Sequence, residues 1–389
     1  MNFKGWTRRE FLALSSSAAF AAVLPIRAAT TKPASASTDR ATPRISTVSS
    51  SASKRYDSAF VLDANTLASI GYVQFENDFA SELKAIQGSG LTALKSTMGG
   101  DSASFEQTVA DIAATQTLIE KHPDLFLKVI GPGDLERAKS QHKVAIILSF
   151  EAVSMLEDKI DRIDLFRQLD VLVMQLSYNR KSPFGCGCLD GDTDGVTPLG
   201  RQAIAKMNAV GVALDLSHAN AQTTADGIAL SQKPAVITHA GCRAVYNHPR
   251  NKSDRDMKAL ADKGGVMGIY MLPFLTPDNR QPMLADYMTH LTHALNVCGE
   301  DHVGIGTDSL FFQATDADIK AISAQEAERR KAGLGAPGEN RPPYIPDINT
   351  PRKLEFVADA MLKKGYGADV VDKVLGLNFR RAFKQIWSV

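Results

Sequence analysis

The feature that most constrains this chain is a series of eight short runs rich in Val, Ile and Leu, several of which end on a polar residue. They are 59–64 (AFVLDA), 90–97 (GLTALKST), 144–150 (VAIILSF), 171–178 (VLVMQLSY), 212–218 (VALDLSH), 235–240 (AVITHA), 265–270 (GVMGIY) and 302–308 (HVGIGTD). Near-continuous apolar composition marks strands buried on both faces, as in a parallel sheet covered by helices. Helical patterns fall between several of them, at 104–121, 158–169, 199–210 and 283–298. Eight such units predict a single α/β domain, a (β/α)8 barrel of the TIM type. Alternating units also allow a doubly wound open sheet, but no G-x-G-x-x-G opens the first helix as its dinucleotide-binding version requires. At 389 residues the chain is long enough for one barrel-sized core.

Charge and cysteine usage exclude other classes. Lys and Arg number 44 against 43 Asp and Glu, a net charge of +1, so no electrostatic field favours nucleic acid. Four cysteines, at 186, 188, 242 and 298, are too few for a disulfide scaffold. The start of the chain reads as an address. Thr7-Arg8-Arg9-Glu10-Phe11-Leu12 leads into an apolar, serine-rich stretch ending at Leu24, and Arg27-Ala28-Ala29 follows. This is the pattern of a twin-arginine signal peptide over residues 1–29. Its apolar part is shorter than the about 20 residues that span a bilayer. Export to the periplasm through the twin-arginine machinery is therefore expected, a route that suits proteins loaded with a cofactor before transport. Residues 30–55, rich in Ser, Thr, Ala and Pro, are expected to form a flexible leader to a barrel domain at 56–389.

Asn65, Glu151, Tyr178, His218, His239 and Asp308 each lie at or just past the end of an apolar run. In a parallel barrel those ends meet at one face, where active sites form. His218 and His239 end consecutive runs, and adjacent strands lie about 4.8 Å apart, so their imidazoles can converge on one ion. Glu151 adds a carboxylate. Two histidines, one carboxylate and an open position make a catalytic zinc site. An ion so held lowers the pKa of water towards about 7 and polarises a carbonyl. Asp308 is placed to pass a proton, and Arg250 to clamp a substrate carboxylate. Each residue has a plainer reading alone: a hydrogen-bonded structural histidine, a helix cap, a rim tyrosine, an exposed ion pair. Their joint occurrence in one register is what points to a site.

Other patterns carry less. Asp190-Gly191-Asp192-Thr193-Asp194-Gly195 starts like a calcium loop, but the twelfth position is Arg201, so an acidic solvated loop is expected. Cys186-Gly187-Cys188 allows a soft-metal site, a strained disulfide or free thiols. His248 lines a pocket or caps a turn, and His290 and His293 share one side of a helix. The long segment 309–350 follows the last strand and is read as a lid that limits substrate size.

In this order and spacing, six segments carry a resemblance: Ser149-Phe150-Glu151, Gln175-Leu176-Ser177-Tyr178-Asn179, Asp215-Leu216-Ser217-His218, Thr238-His239-Ala240, Arg250-Asn251-Lys252-Ser253-Asp254 and Gly304-Ile305-Gly306-Thr307-Asp308. With Asn378-Phe379-Arg380-Arg381-Ala382-Phe383 as a closing helix, residues 58–389 resemble the membrane (renal) dipeptidases, zinc peptidases of the amidohydrolase-like barrel type. The resemblance implies that Glu151 bridges two zinc ions and that His218 and His239 complete the shell of the second. It implies that Arg250 holds the dipeptide carboxylate and that Asp308 relays a proton. Tyr178 stands where family members often carry a substrate-facing histidine, and its phenol can still hydrogen-bond an oxyanion. The resemblance also implies a homodimer.

The first strand departs from the family pattern. The His-x-Asp pair that holds the first zinc is replaced by Asn65-Thr66-Leu67. Leucine cannot ligate and an amide oxygen is a poor zinc ligand. One zinc ion, on Glu151, His218 and His239, is therefore expected, with Asp63 the one nearby carboxylate that could substitute for the lost pair. The expected function is an exported zinc dipeptidase. The alternatives are a catalytically silent metal- or peptide-binding barrel, and a metal hydrolase acting on another carboxylate-bearing amide.

Overall fold

The structure is a computed structural model and describes residues 47–67, 79–100, 103–277, 280–331, 333 and 335–388. The signal peptide expected at 1–29 lies outside the described residues. The strands are β1 (Leu62–Asp63), β2 (Ala93–Thr97), β3 (Phe126–Lys128), β4 (Val144–Phe150), β5 (Val171–Met174), β6 (Ala213–Leu214), β7 (Val236–Ala240), β8 (Val266–Ile269) and β9 (Val303–Ile305). Each of the eight apolar runs contains one of them. The extra strand, β3, pairs with the start of β4, Phe126 facing Val144 and Lys128 facing Ile146. On β4 the pairing with β5 begins only at Leu148. Three residues with a single charged end give no period to read, which is why β3 is not visible in the sequence.

All pairings are parallel. They run β1-β2-β4-β5-β6 and, separately, β7-β8-β9, leaving two seams. At the first, Asp215 bridges Val236, and the Leu216 N–H donates to the Val236 carbonyl at 2.9 Å. At the second, the Ala64 N–H reaches Ile305 O at 2.9 Å and the Asp308 N–H reaches Asn65 O at 2.7 Å. The eight long-run strands thus close into the expected (β/α)8 barrel.

Each seam holds a buried aspartate that stands in for a main-chain carbonyl. Asp215 Oδ1 accepts the Thr238 N–H at 3.1 Å, and its Oδ2 accepts the Thr238 hydroxyl at 2.6 Å. Asp63 Oδ1 accepts the Thr307 N–H at 2.8 Å, and its Oδ2 accepts the Thr307 hydroxyl at 2.6 Å. The residues after those threonines are His239 and Asp308, so both seams aim a site residue.

Helices cover the barrel's outside at Phe105–Lys121, Arg162–Gln168, Pro198–Val210 and Leu284–Cys298, within a few residues of the expected ranges. Local chemistry sets their ends. Ser104 and Gln107 form a capping box at the first. Thr197 caps the third ahead of Pro198, and Gly211 ends it in the left-handed region at φ 69°. At the other end of the barrel from the site, the helix Asn378–Trp387 stacks Phe379 on Phe383 and Phe383 on Trp387. These rings share one apolar cluster with Leu62, Ala93, Ala145, Val236 and Val266, all at or near strand starts. Burying each ring contributes about 2–3 kcal/mol, so this helix plugs the barrel floor.

The last residues of the expected leader are folded. Ser50–Ser58 is a helix with Ser49 at its N-cap and Tyr56 buried. The Ser49 hydroxyl donates to Asp359 at 2.6 Å, and Arg55 pairs with Asp372 at 2.6 Å. A serine-rich sequence with weak helix propensity is held here by tertiary contacts. The folded domain therefore begins before residue 56. Among the described residues no helix is long and apolar enough to cross a membrane.

Candidate active site

Glu151 follows β4, His218 lies just past β6 and His239 lies within β7. Their donor atoms all fall within 4.8 Å of one another. The two Nε2 atoms are 3.1 Å apart, and His218 Nε2 is 3.6 Å from Glu151 Oε2. Among the described residues this is the one such group of three.

The surroundings decide which imidazole nitrogens carry protons. His218 Nδ1 lies 2.9 Å from Asn179 Oδ1, an acceptor, so Nδ1 holds the hydrogen and Nε2 is a bare lone pair. His239 Nδ1 lies 2.9 Å from the Thr238 hydroxyl, whose own proton goes to Asp215. His239 Nδ1 is therefore the donor, and its Nε2 is bare as well. Burial, and after it the Arg250 charge, pushes His218 down to about 3; burial likewise holds His239 well below the usual imidazole range. Two lone pairs facing each other beside a carboxylate repel unless a cation lies between them. The donor set therefore fits a divalent metal ion.

Glu151 uses its two oxygens differently. Oε2 faces the histidines, while Oε1 accepts the Thr97 hydroxyl at 2.9 Å and lies 3.9 Å from Lys95 Nζ. Burial opposes its ionisation, and the positive charge of Lys95 favours it.

Asp308 sits at φ 46°, a left-handed conformation rare outside glycine, which turns its side chain into the barrel mouth. Its Oδ2 lies 3.9 Å from His239 Nε2, and its Oδ1 accepts the Asn65 amide at 2.9 Å. Burial, reinforced by the Glu151 charge, raises its pKa to about 7. Tyr178 stacks on the His218 ring with centroids 4.2 Å apart, and burial raises its phenol well above the ordinary value, so it remains a donor.

Arg250 is 1% exposed, and neither Nη atom has a hydrogen-bond partner. Its guanidinium lies 5.9 Å from the Tyr270 ring centroid. A buried, unpaired guanidinium is costly and is ready for a bidentate anion. His248 positions it: His248 Nδ1 accepts the Arg250 N–H at 3.2 Å, and its Nε2–H donates to Pro337 O at 2.8 Å. His248 thus links the Arg250 turn to the segment expected as a lid, which carries the helix Asp316–Lys331.

The first-strand positions are occupied otherwise. Leu67 bridges Leu310 and packs against an apolar cluster of Leu310, Phe312, Ala314 and Ile322, so it holds down the start of that segment. Asp63 is no replacement ligand, because the seam contacts with Thr307 engage both of its oxygens. Asn65 keeps one buried amide oxygen without a partner, a single neutral donor.

The remaining motifs resolve simply. All four cysteines are free thiols, and Cys188 donates to Asn179 Oδ1 at 3.3 Å. His290 is buried between Cys242 N and Leu275 O, whereas His293 pairs with Asp254 at 2.8 Å near the surface. Lys95, Thr97 and the orienting role of Asn179 were not read from the sequence. The signal for Lys95 was present: with period two it shares one face of the strand with Ala93 and Thr97.

A closed parallel barrel with two histidines and a carboxylate gathered at its C-terminal mouth has the fold and the donor arrangement of the metal-dependent hydrolase barrels. Residues 73–323 match the model of the membrane dipeptidase family (peptidase family M19), and the chain belongs to that family. It is 23% identical over 294 residues to the dipeptidase tcpJ of Claviceps purpurea, a match covering 74% of this chain and 61% of that protein. Among solved structures it is similar to an amidohydrolase from Pseudomonas aeruginosa, with 29% identity, a TM-score of 0.72 and coverage of 87% of this chain and 99% of that one. A Rhodobacter sphaeroides metallopeptidase, crystallised with a phosphinate mimic of L-Ala-D-Ala, shares the fold at 20% identity and a TM-score of 0.67, covering 85% of this chain and 99% of that one.

Proposed function

We propose that this protein is a zinc-dependent dipeptidase with one metal ion, held by Glu151, His218 and His239. The observation that carries the reading is the pair of bare Nε2 atoms 3.1 Å apart beside Glu151. When bound there, zinc would supply Lewis-acid polarisation of a carbonyl and a water that is nucleophilic near neutral pH.

The chain's own residues do the rest. Arg250 binds the C-terminal carboxylate and fixes the substrate's register. Tyr178 donates its hydroxyl hydrogen bond to the carbonyl oxygen as negative charge builds on it. Asp308, 3.9 Å from His239 Nε2, takes a proton from the attacking water and returns it to the leaving amine. His248 and the 309–350 segment bound the pocket at the Arg250 end, which favours short substrates.

The test is an assay of the mature chain, loaded with zinc or cobalt, on a panel of dipeptides and N-acyl amino acids. Turnover of dipeptides above a His218→Ala/His239→Ala control is expected. Tight dipeptide binding in calorimetry with no turnover identifies a silent binding barrel instead. Preference for N-acyl amino acids identifies another amide hydrolase.

We further propose export to the periplasm through the twin-arginine machinery, on the strength of Arg8-Arg9 and the apolar stretch behind them. Replacing both arginines by lysine is expected to retain the protein in the cytoplasmic fraction. Unchanged periplasmic recovery rejects this route.

A further inference from the structure

Lys95 is a buried charged group that the function above leaves unexplained. It sits inside the barrel on β2, is fully buried, and donates to the Ser149 hydroxyl at 3.1 Å. Its ammonium lies 3.9 Å from Glu151 Oε1, the oxygen turned away from the histidines. That oxygen also accepts the Thr97 hydroxyl at 2.9 Å. Glu151 thus faces a metal-donor cluster with one oxygen and a fixed organic cation with the other.

A second metal ion does not fit on the Lys95 side. Zinc takes four ligands, typically imidazole, thiolate or carboxylate. The candidates are Glu151 Oε1, already accepting from Thr97, the neutral Asn65 amide oxygen, and Asp308, whose Oδ1 already accepts the Asn65 amide and whose Oδ2 faces His239, with Leu67 packed against Leu310. An added dication would also face the Lys95 charge at close range in a buried site, where repulsion is poorly screened.

We propose that the Lys95 ammonium is the built-in second cation of this site: it neutralises the outer side of Glu151 and restricts the centre to one divalent ion. The proposal deepens the one-metal reading and rests on it. Lys95 is a positioning residue, acting through Glu151 and through its charge on the ion.

The experiment measures metal content and affinity rather than activity. Metal-stripped protein is titrated with zinc and with cobalt, and bound metal per chain is counted by elemental analysis. Wild type is expected to hold one ion. Asn65→His/Leu67→Asp, which restores first-strand donors, is expected still to hold one, and adding Lys95→Met is expected to raise it to two. Lys95→Met alone removes a like charge from beside the ion and is expected to tighten binding by about tenfold. Lys95→Arg keeps the charge and is expected to bind as wild type does.

Two ions in the Asn65→His/Leu67→Asp protein with Lys95 intact overturn the proposal while leaving the one-metal reading of the natural chain standing. Weaker binding by Lys95→Met also overturns it, because Lys95 would then only prop Glu151. One ion in the triple variant rejects the restricting role. Zero or two ions in wild type reject the one-metal reading itself, and this proposal with it.

Discussion

Asp63 and Thr307 join the last strand of the barrel to the first through two hydrogen bonds, one from the threonine N–H at 2.8 Å and one from its hydroxyl at 2.6 Å. Asp215 and Thr238 repeat the arrangement at the other seam. In both places a side-chain carboxylate replaces a missing rung of the ladder, and the next residue along the chain belongs to the candidate site. Thr307→Val is expected to cost about 1–3 kcal/mol by leaving Asp63 Oδ2 buried and unsatisfied. Combining it with Asp63→Asn should cost less than the sum of the single changes. Urea unfolding of the metal-free protein measures both.

The groups that orient the two histidines should matter nearly as much as the histidines themselves. Asn179→Ala removes the acceptor for His218 Nδ1, and Thr238→Val removes the acceptor for His239 Nδ1. Each is expected to weaken zinc binding by about 10–100-fold. Competition against a chromogenic chelator gives the constants. Unchanged affinity in both variants would contradict the proton assignment that leaves both Nε2 atoms bare.

Arg250 is expected to cost stability in the free protein and to recover it on binding substrate. Arg250→Met should stabilise the unliganded fold by about 1–3 kcal/mol, because it replaces a buried unpaired cation with an apolar side chain of similar length. The same change should lower kcat/KM for dipeptides by about a thousandfold or more. Thermal unfolding and steady-state kinetics test the two halves separately.

The Asp308 carboxyl is raised to about 7 from its ordinary value, first by burial and then by Glu151. The folded, metal-free protein therefore binds more protons than the unfolded chain between pH 4 and 7. The stability this group contributes is complete below about pH 4 and is lost as pH rises through 7. Asp308→Asn should remain neutral throughout, and so should be more stable than wild type by about 2–4 kcal/mol at pH 8, with the gap closing near pH 4. Unfolding in chelator at both pH values checks this. A gap that widens towards acid would reverse the sign of the assignment.

Tyr178→Phe keeps the ring that stacks on His218 and deletes only the hydroxyl. Metal affinity should be unchanged while kcat falls by about 10–100-fold, with little effect on KM. A loss of zinc in this variant would instead make Tyr178 a support for His218.

Much of this site was legible in one dimension. The apolar runs announced their strands because burial on both faces leaves a local signature. Glu151, His218, His239 and Asp308 were legible because a parallel barrel sends every strand end to the same mouth. What the primary structure alone determined was therefore the eight barrel strands, though not β3, the donor types, and the absence of ionisable side chains at Asn65 and Leu67. Only the tertiary structure decided that Asp63 braces a seam instead of replacing a ligand, that Ser50–Ser58 belongs to the folded domain, and that Lys95 lies against Glu151. Those relationships join residues tens to hundreds of positions apart, with energies set by distance and desolvation in the closed barrel. Neither quantity leaves a trace in residue order.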